Sequence, residues 1–127
     1  IKPKESAKYL GMHIDRCLNF KEHVKYAVGK GVKAAVALTR LANTKIGMPH
    51  KFVRRLSISL VAPQMEYALP VWYNPVKEGE GRRSGTVGIA RKLSKPQHLT
   101  CKVMAGGLRS TSTDALDYHA NILPTHL

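Results

Sequence analysis

Apolar positions recur along most of this chain at helical spacing, most densely from Lys51 to Tyr73, KFVRRLSISLVAPQMEYALPVWY. Phe52, Val53, Leu56 and Leu60 form one stripe there and predict an amphipathic helix with that stripe inward. Pro63 has no backbone donor and crowds the preceding turn, so a kink or a new helix start is expected at that point. The stretch ends in the one tryptophan, Trp72, whose burial would stabilise the fold more than that of any other single side chain.

Ahead of it, Tyr9 to Asp15 alternates, with Leu10, Met12 and Ile14 as the apolar set. That period predicts a half-buried strand, paired either with residues 1–7 or with polypeptide beyond this chain. Asn19 with Glu22 reads as a variant of the capping box. A long helix is expected from there to about Ala42, with Val24, Val28, Val32, Ala35, Leu38, Thr39 and Ala42 inward. Lys21, Lys25, Lys33 and Arg40 fall on its other flank. Gly29 and Gly31 weaken that helix by roughly 1 kcal/mol each relative to alanine, and either admit a neighbouring helix closely or mark a bend.

Asn43 to Met48 reads as a turn and Asn74 to Gly88 as a flexible loop. Ser94 and Gln97 bracket Pro96 as a capping box opening a further helix, with Leu99, Val103 and Met104 inward and Gly106-Gly107 as its end. Thr111 to Thr113 cap a last short helix, in which Asp114 complements the dipole. Ala115, Leu116 and Ile122 are expected to pack inward from it, and Asp117 to face solvent. The architecture that follows is mainly α, a helical bundle with a short N-terminal β-strand or hairpin. Its expected divisions are 1–18 (strand or hairpin), 19–74 (principal helices), 75–93 (basic loop) and 94–127 (C-terminal helices). Phe52, Leu56, Leu60, Trp72, Leu99 and Val103 are its expected core.

Charge changes the picture most. Lys and Arg total 21 against 8 Asp and Glu, a net charge of +13. Up to Pro63 there are 13 basic and 3 acidic residues, so the excess is concentrated in the first half. An imbalance of this size points to a polyanion, most often nucleic acid. A solvated cationic surface and an anionic membrane are the competing readings. No apolar run approaches the roughly 20 residues that span a bilayer. The start, IKPKESAKY, lacks the apolar segment of a signal peptide, and its first residue is isoleucine, so an excerpt of a longer chain is expected. Two distant cysteines, Cys17 and Cys101, suit a reducing, intracellular compartment, nuclear and cytoplasmic.

Candidate chemistry is sparse. His13, Cys17 and His23, or His98 with Cys101, lack the paired spacing of a zinc site, so structural roles are expected and no metal. Nucleotidyl transfer by two metals needs clustered carboxylates, which this sequence does not offer, and no catalytic residue is assigned. Gly79, Gly81 and Gly85 mimic a phosphate loop only loosely, with no strand before them and no GK[ST] after. What survives is a set of cationic helix flanks able to touch phosphates without reading bases: Lys21, Lys25, Lys33, Arg40, Lys51, Arg54 and Arg55. Tyr9, Tyr26 and Tyr73 could add stacking, though burial is the commoner fate of tyrosine.

KYLGMHID followed by LNFKEHV, then RRLSISLVAPQMEYALPVWYNP, then KPQHLTCKVMAGGLRSTSTDALDYHANILP resembles, in order, the reverse transcriptases of non-LTR retrotransposons over about Ser6 to Pro124. Phe20, Ser57 and Met104-Ala105 depart from it, standing where tryptophan, tyrosine and an Ile-Thr type pair are usual. The resemblance implies a region after the catalytic palm. Tyr9 to Ile14 would be the palm-edge strand, Phe20 to Ala42 the first thumb helix and Pro49 to Tyr73 the second. It implies RNA and DNA, as a template-primer duplex, and the palm of the same polyprotein as partners. The catalytic aspartates and any divalent metal such as Mg would then belong to that palm, with no cofactor in this chain. A stand-alone basic helical module binding nucleic acid, and a non-functional transposon remnant, are the alternatives.

Overall fold

A computed structural model describes residues 4–42, 47–79 and 81–124. It is mainly helical, with a two-stranded antiparallel hairpin near the N-terminus. Strand β1 (Ser6–Tyr9) pairs with β2 (Met12–Asp15) in the register Ser6↔Asp15 to Tyr9↔Met12. Leu10 and Gly11 form the two-residue turn, both with positive φ (46° and 85°), as a type I′ turn requires. The expected strand over Tyr9 to Asp15 is therefore a turn plus the second strand, and Leu10 is 75% exposed rather than inward. Periodicity placed Leu10 with Met12, but the tight turn removes it from the pleat.

Helix α1 (Lys21–Ala42) buries His23, Val24, Ala27, Gly31, Ala35 and Leu38. Its first bond runs from the Val24 N–H to the Phe20 carbonyl, so Phe20 (φ 52°) occupies the capping position expected of Asn19. The turn expected over Asn43 to Met48 lies largely outside the described residues. Pro49 caps α2 (His50–Leu56), which runs into a π-helical turn (Ser57–Val61) and then α3 (Ala62–Glu66). The Ala62 N–H reaches back to the Ser57 carbonyl, five residues away. That widened turn lets the helix pass Pro63 without the i→i−4 bond proline cannot make.

The same widening resets the helical phase. Val53, Ser57, Val61 and Met65, four apart, all point inward, whereas Phe52 (53% exposed) and Leu60 (50%) do not, contrary to the expected stripe. Leu56 and Leu99 pack half-buried against the core, and Val103 is also half-buried. Helix α4 (Leu69–Trp72) follows a left-handed Ala68 and delivers Trp72, 4% exposed, into the centre. Its indole N–H donates to the Tyr67 carbonyl at 3.0 Å, so the one polar atom of the ring is satisfied.

The expected loop after Asn74 is a second hairpin, β3 (Lys77–Gly79) and β4 (Arg82–Ser84). Thr86 closes its neck: its hydroxyl donates to the Asn74 carbonyl at 2.7 Å and accepts from the Asn74 N–H at 3.2 Å. Helix α5 (Val87–Ala105) then starts well before Ser94 and continues through Pro96. Ser94 does not cap it, since its hydroxyl donates to the Arg91 carbonyl within the helix. Pro96 is tolerated because it sits buried against α1, where lost backbone bonding is offset by packing. Left-handed Gly106 ends the helix as expected. Helix α6 (Thr113–Ala120) is capped by the Ser112 hydroxyl, which accepts from the Ala115 N–H, and stops at left-handed Asn121. Asp117, expected in solvent, is 4% exposed and accepts from Gln97 Nε2 (3.2 Å) and Cys101 Sγ (3.4 Å).

α1 and α5 pack on each other more extensively than any other two elements. Gly31 is the point of closest approach. A Cβ built there would collide with the Met65 side chain and lie 3.2 Å from Pro96 Cγ, whereas one at Gly29 meets nothing within 4 Å. Gly31→Ala is therefore expected to destabilise the fold by about 1–3 kcal/mol through overpacking, and Gly29→Ala to stabilise it by up to about 1 kcal/mol. Thermal unfolding of the two variants checks the pair, and equal shifts of the same sign would contradict it.

Candidate nucleic-acid interface

The same residues that bury one side of α1 dispose its cations. His23, Val24, Ala27, Gly31, Ala35 and Leu38 occupy the inward arc, and at about 100° per residue Lys21, Lys25, Lys33 and Arg40 fall outside it. All four are exposed. From Lys21 to Arg40 they span about 28 Å along the axis. The acidic residue of this helix, Glu22, sits in its first turn, where it complements the dipole.

The three other expected phosphate-binding residues divide. Lys51 and Arg55 are exposed on α2. Arg54 is committed elsewhere: its Nε donates to the Ala120 carbonyl at 3.1 Å and its Nη2 to the Asn121 carbonyl at 2.8 Å. A guanidinium at the last carbonyls of α6 satisfies acceptors that the helix end leaves open. Arg54 therefore docks α6 on α2. It also edges an apolar pocket of about 400 Å³ lined by Val61, Met65, Leu69, Leu93 and Ile122 among others.

Sequence reasoning missed a second cationic cluster. The Lys8 and Lys30 ammonium groups lie 5.6 and 4.8 Å from the Tyr26 ring centroid, one from β1 and one from α1. A hydrogen bond from Lys30, reinforced by the charges of Lys30, Lys8 and Lys33, holds the Tyr26 phenol below its ordinary pKa. Together with Gly11, His23 and Tyr67 these residues line a cleft of about 360 Å³ between the hairpin, α1 and α3. Only the pairing of β1 with β2 brings Lys8 here, and nothing in residue spacing announces it. Tyr9 is 65% exposed, whereas Tyr26 and Tyr73 are half-buried, so of the three expected stacking residues Tyr9 alone is fully open.

His23 is structural. Its Nδ1 accepts from the His13 N–H at 3.4 Å, and its ring meets Trp72 edge-on at 5.4 Å. Burial lowers its pKa, outweighing the Tyr67 carbonyl that favours the charged form. Cys101 is buried and free, and desolvation together with the Asp117 carboxylate pushes its thiol up to about 12, so it is unreactive. Cys17 is exposed and also free. Among the described residues no three His, Cys, Asp or Glu side chains gather as a metal site would need. Nor is any helix among them long and apolar enough to cross a membrane.

The chain is similar to the Retrovirus-related Pol polyprotein from type-1 retrotransposable element R1 4 of Nasonia vitripennis, 34% identical over 83% of this chain. That similarity is to a retrotransposon polyprotein, the class the sequence resemblance pointed to. The chain spans 28% of that relative's length. No family model matches it, and no solved structure does.

Arg54→Ala is expected to cost about 1–3 kcal/mol of stability, because the carbonyls at the end of α6 lose a charged donor, while Arg55→Ala stays within about 0.5 kcal/mol. Urea titrations distinguish them, and an Arg55 effect as large as that of Arg54 would contradict the assignment. His23 makes stability pH-dependent. The unfolded histidine takes up its proton near 6.5 and the folded one only at lower pH. Below about 6.5 the unfolded chain binds more protons, so stability falls as pH falls. His23→Gln should flatten that slope in denaturation measured from pH 7.5 to 5.

Proposed function

We propose that this chain is the region that follows the catalytic palm in a retrotransposon reverse transcriptase, its thumb and connection, and that it grips the template-primer duplex by the phosphate backbone. The observation that carries this reading is the α1 row of Lys21, Lys25, Lys33 and Arg40, exposed along one side of a helix whose other side is core. The similarity to a retrotransposon Pol polyprotein supports it.

In this reading the chain performs no bond-making step. Its ammonium and guanidinium groups neutralise successive phosphates, release condensed counterions and fix the duplex without reading bases. Lys51 and Arg55 on α2 add to the row, and Arg54 contributes by holding α6 rather than by touching phosphate. Lys8 and Lys30, held over the Tyr26 ring, add two further cations beside the α1 helix. The RNA and DNA of the duplex, and the palm of the same polyprotein, are its partners. In this reading a divalent metal such as Mg belongs to the palm. The setting is that of the template, nuclear and cytoplasmic.

Fluorescence anisotropy with a 20-base-pair DNA duplex and with an RNA–DNA hybrid tests this. Lys21→Gln/Lys25→Gln/Lys33→Gln should weaken binding and lower the slope of log K against log salt by roughly 2–3, near 0.9 for each B-DNA phosphate no longer neutralised. Removing the same number of charges from the second hairpin, in Lys77→Gln/Arg82→Gln/Arg83→Gln, should change the slope far less. Equal weakening in the two variants would reduce the binding to what any chain of this charge shows and overturn the reading.

A further inference from the structure

Helix α5 carries a second cationic row. Arg91, Lys95, His98 and Lys102 stand at i, i+4, i+7 and i+11, within about 60° of one another at 100° per residue, and span about 16 Å. They lie opposite Ala90, Leu93, Thr100 and Met104, which are buried. Arg91 and Lys95 are exposed, as is neighbouring Lys92, while His98 and Lys102 are half-buried. The helix contains no Asp or Glu. Arg91, Lys95 and Lys102, with no acid on their own helix, repel one another, and a polyanion relieves that repulsion. Exposed Asp114 follows Thr113, whose hydroxyl sits 3.3 Å from His98 Nδ1, so the His98 end of the row is the weaker one and Arg91 and Lys95 the stronger.

The two rows stand on separate helices. α1 and α5 meet where Gly31 faces Pro96, and each row lies on the side of its helix away from that seam. At about 100° per residue the centre of each row is more than about 120° from the seam residue of its own helix, so both rows turn outward from the helix pair. We propose that the α5 row is a second phosphate-binding face, which takes the backbone of a second nucleic-acid segment while α1 holds the first. This rests on the reading of α1 given above. The chain then bridges two segments rather than enlarging one footprint.

Bridging is read by energy transfer between two populations of the same 20-base-pair duplex, one with a donor and one with an acceptor, mixed in excess over the full chain. The wild-type chain should give transfer. Arg91→Glu/Lys95→Glu/Lys102→Glu should abolish it while changing affinity for a single limiting duplex by less than about 3-fold, since phosphate binding along α1 persists. Lys21→Glu/Lys25→Glu/Lys33→Glu should abolish transfer too, yet leave salt-sensitive binding through α5. Circular dichroism establishes folding, and the corresponding glutamine variants repeat the test if a glutamate variant unfolds.

Transfer that persists in the α5 variant would come from association between chains and would overturn the proposal. So would an α5 variant that loses single-duplex affinity as severely as the α1 variant, because both rows would then belong to one site. A wild-type chain that binds one duplex without bridging sinks the α5 inference alone. One that binds no duplex sinks the α1 reading with it.

Discussion

Everything in this molecule depends on the missing side chain at Gly31. Without a Cβ there, Met65 of α3 and Pro96 of α5 reach the backbone of α1 from two directions. Close packing of three helices at one point fixes which arc of α1 is core, and hence which arc its lysines occupy. Trp72 completes the arrangement from α4, holding His23 on α1 edge-to-face and leaving its N–H on the Tyr67 carbonyl. The cationic row is thus a consequence of where a glycine sits. Shift the seam by one residue and the charges turn by about 100°.

Although the Leu10-Gly11 turn within it was not read, an N-terminal strand was legible, as was the helical class, because periodicity is local. So was α1, whose apolar stripe over Val24, Ala35 and Leu38 is long enough to leave little choice of phase. The prolines were where local reasoning misled. Pro63 read as a kink or a new helix start, because an isolated helix loses a hydrogen bond and gains a clash at proline. Pro96 read as the opening turn of a helix. In the folded chain one is absorbed by a π turn and the other is buried against α1. Tertiary packing outweighs local propensity there, and the phase error that placed Phe52 and Leu60 inside follows directly from the unread π turn. Asp117 shows the same limit: a helix-face carboxylate reads as solvated until a glutamine twenty residues away in sequence and a thiol are found to donate to it.

The charged residues divide by the same logic. Lys21, Lys25, Lys33 and Arg40 could be grouped from spacing alone, because a long helix converts spacing into position. Arg54 could not be told from Arg55. The two are adjacent and chemically identical, and only the arrival of the α6 carboxyl end distinguishes them. Lys8, joined to Tyr26 through strand pairing, was equally out of reach. Of the candidate site, then, the part carried by one element was readable and the part assembled from several was not.

Placement of the acids ties stability to the proposed role. Of the few carboxylates in the chain, Asp117 is spent inside, holding α6 to α5, and Glu22 at the start of α1. Glu22 relieves only the first turn of the α1 row and Asp117 neither row, so a chain of net charge +13 still folds against its own repulsion. Such repulsion lowers the stability of the compact state. A phosphate backbone laid along α1 removes part of it, and whatever binds the folded chain and not the unfolded one stabilises the fold in proportion to its affinity. The charge that would draw a polyanion and the charge that strains the free chain are the same charge, so in the proposed reading binding a duplex also stabilises the fold.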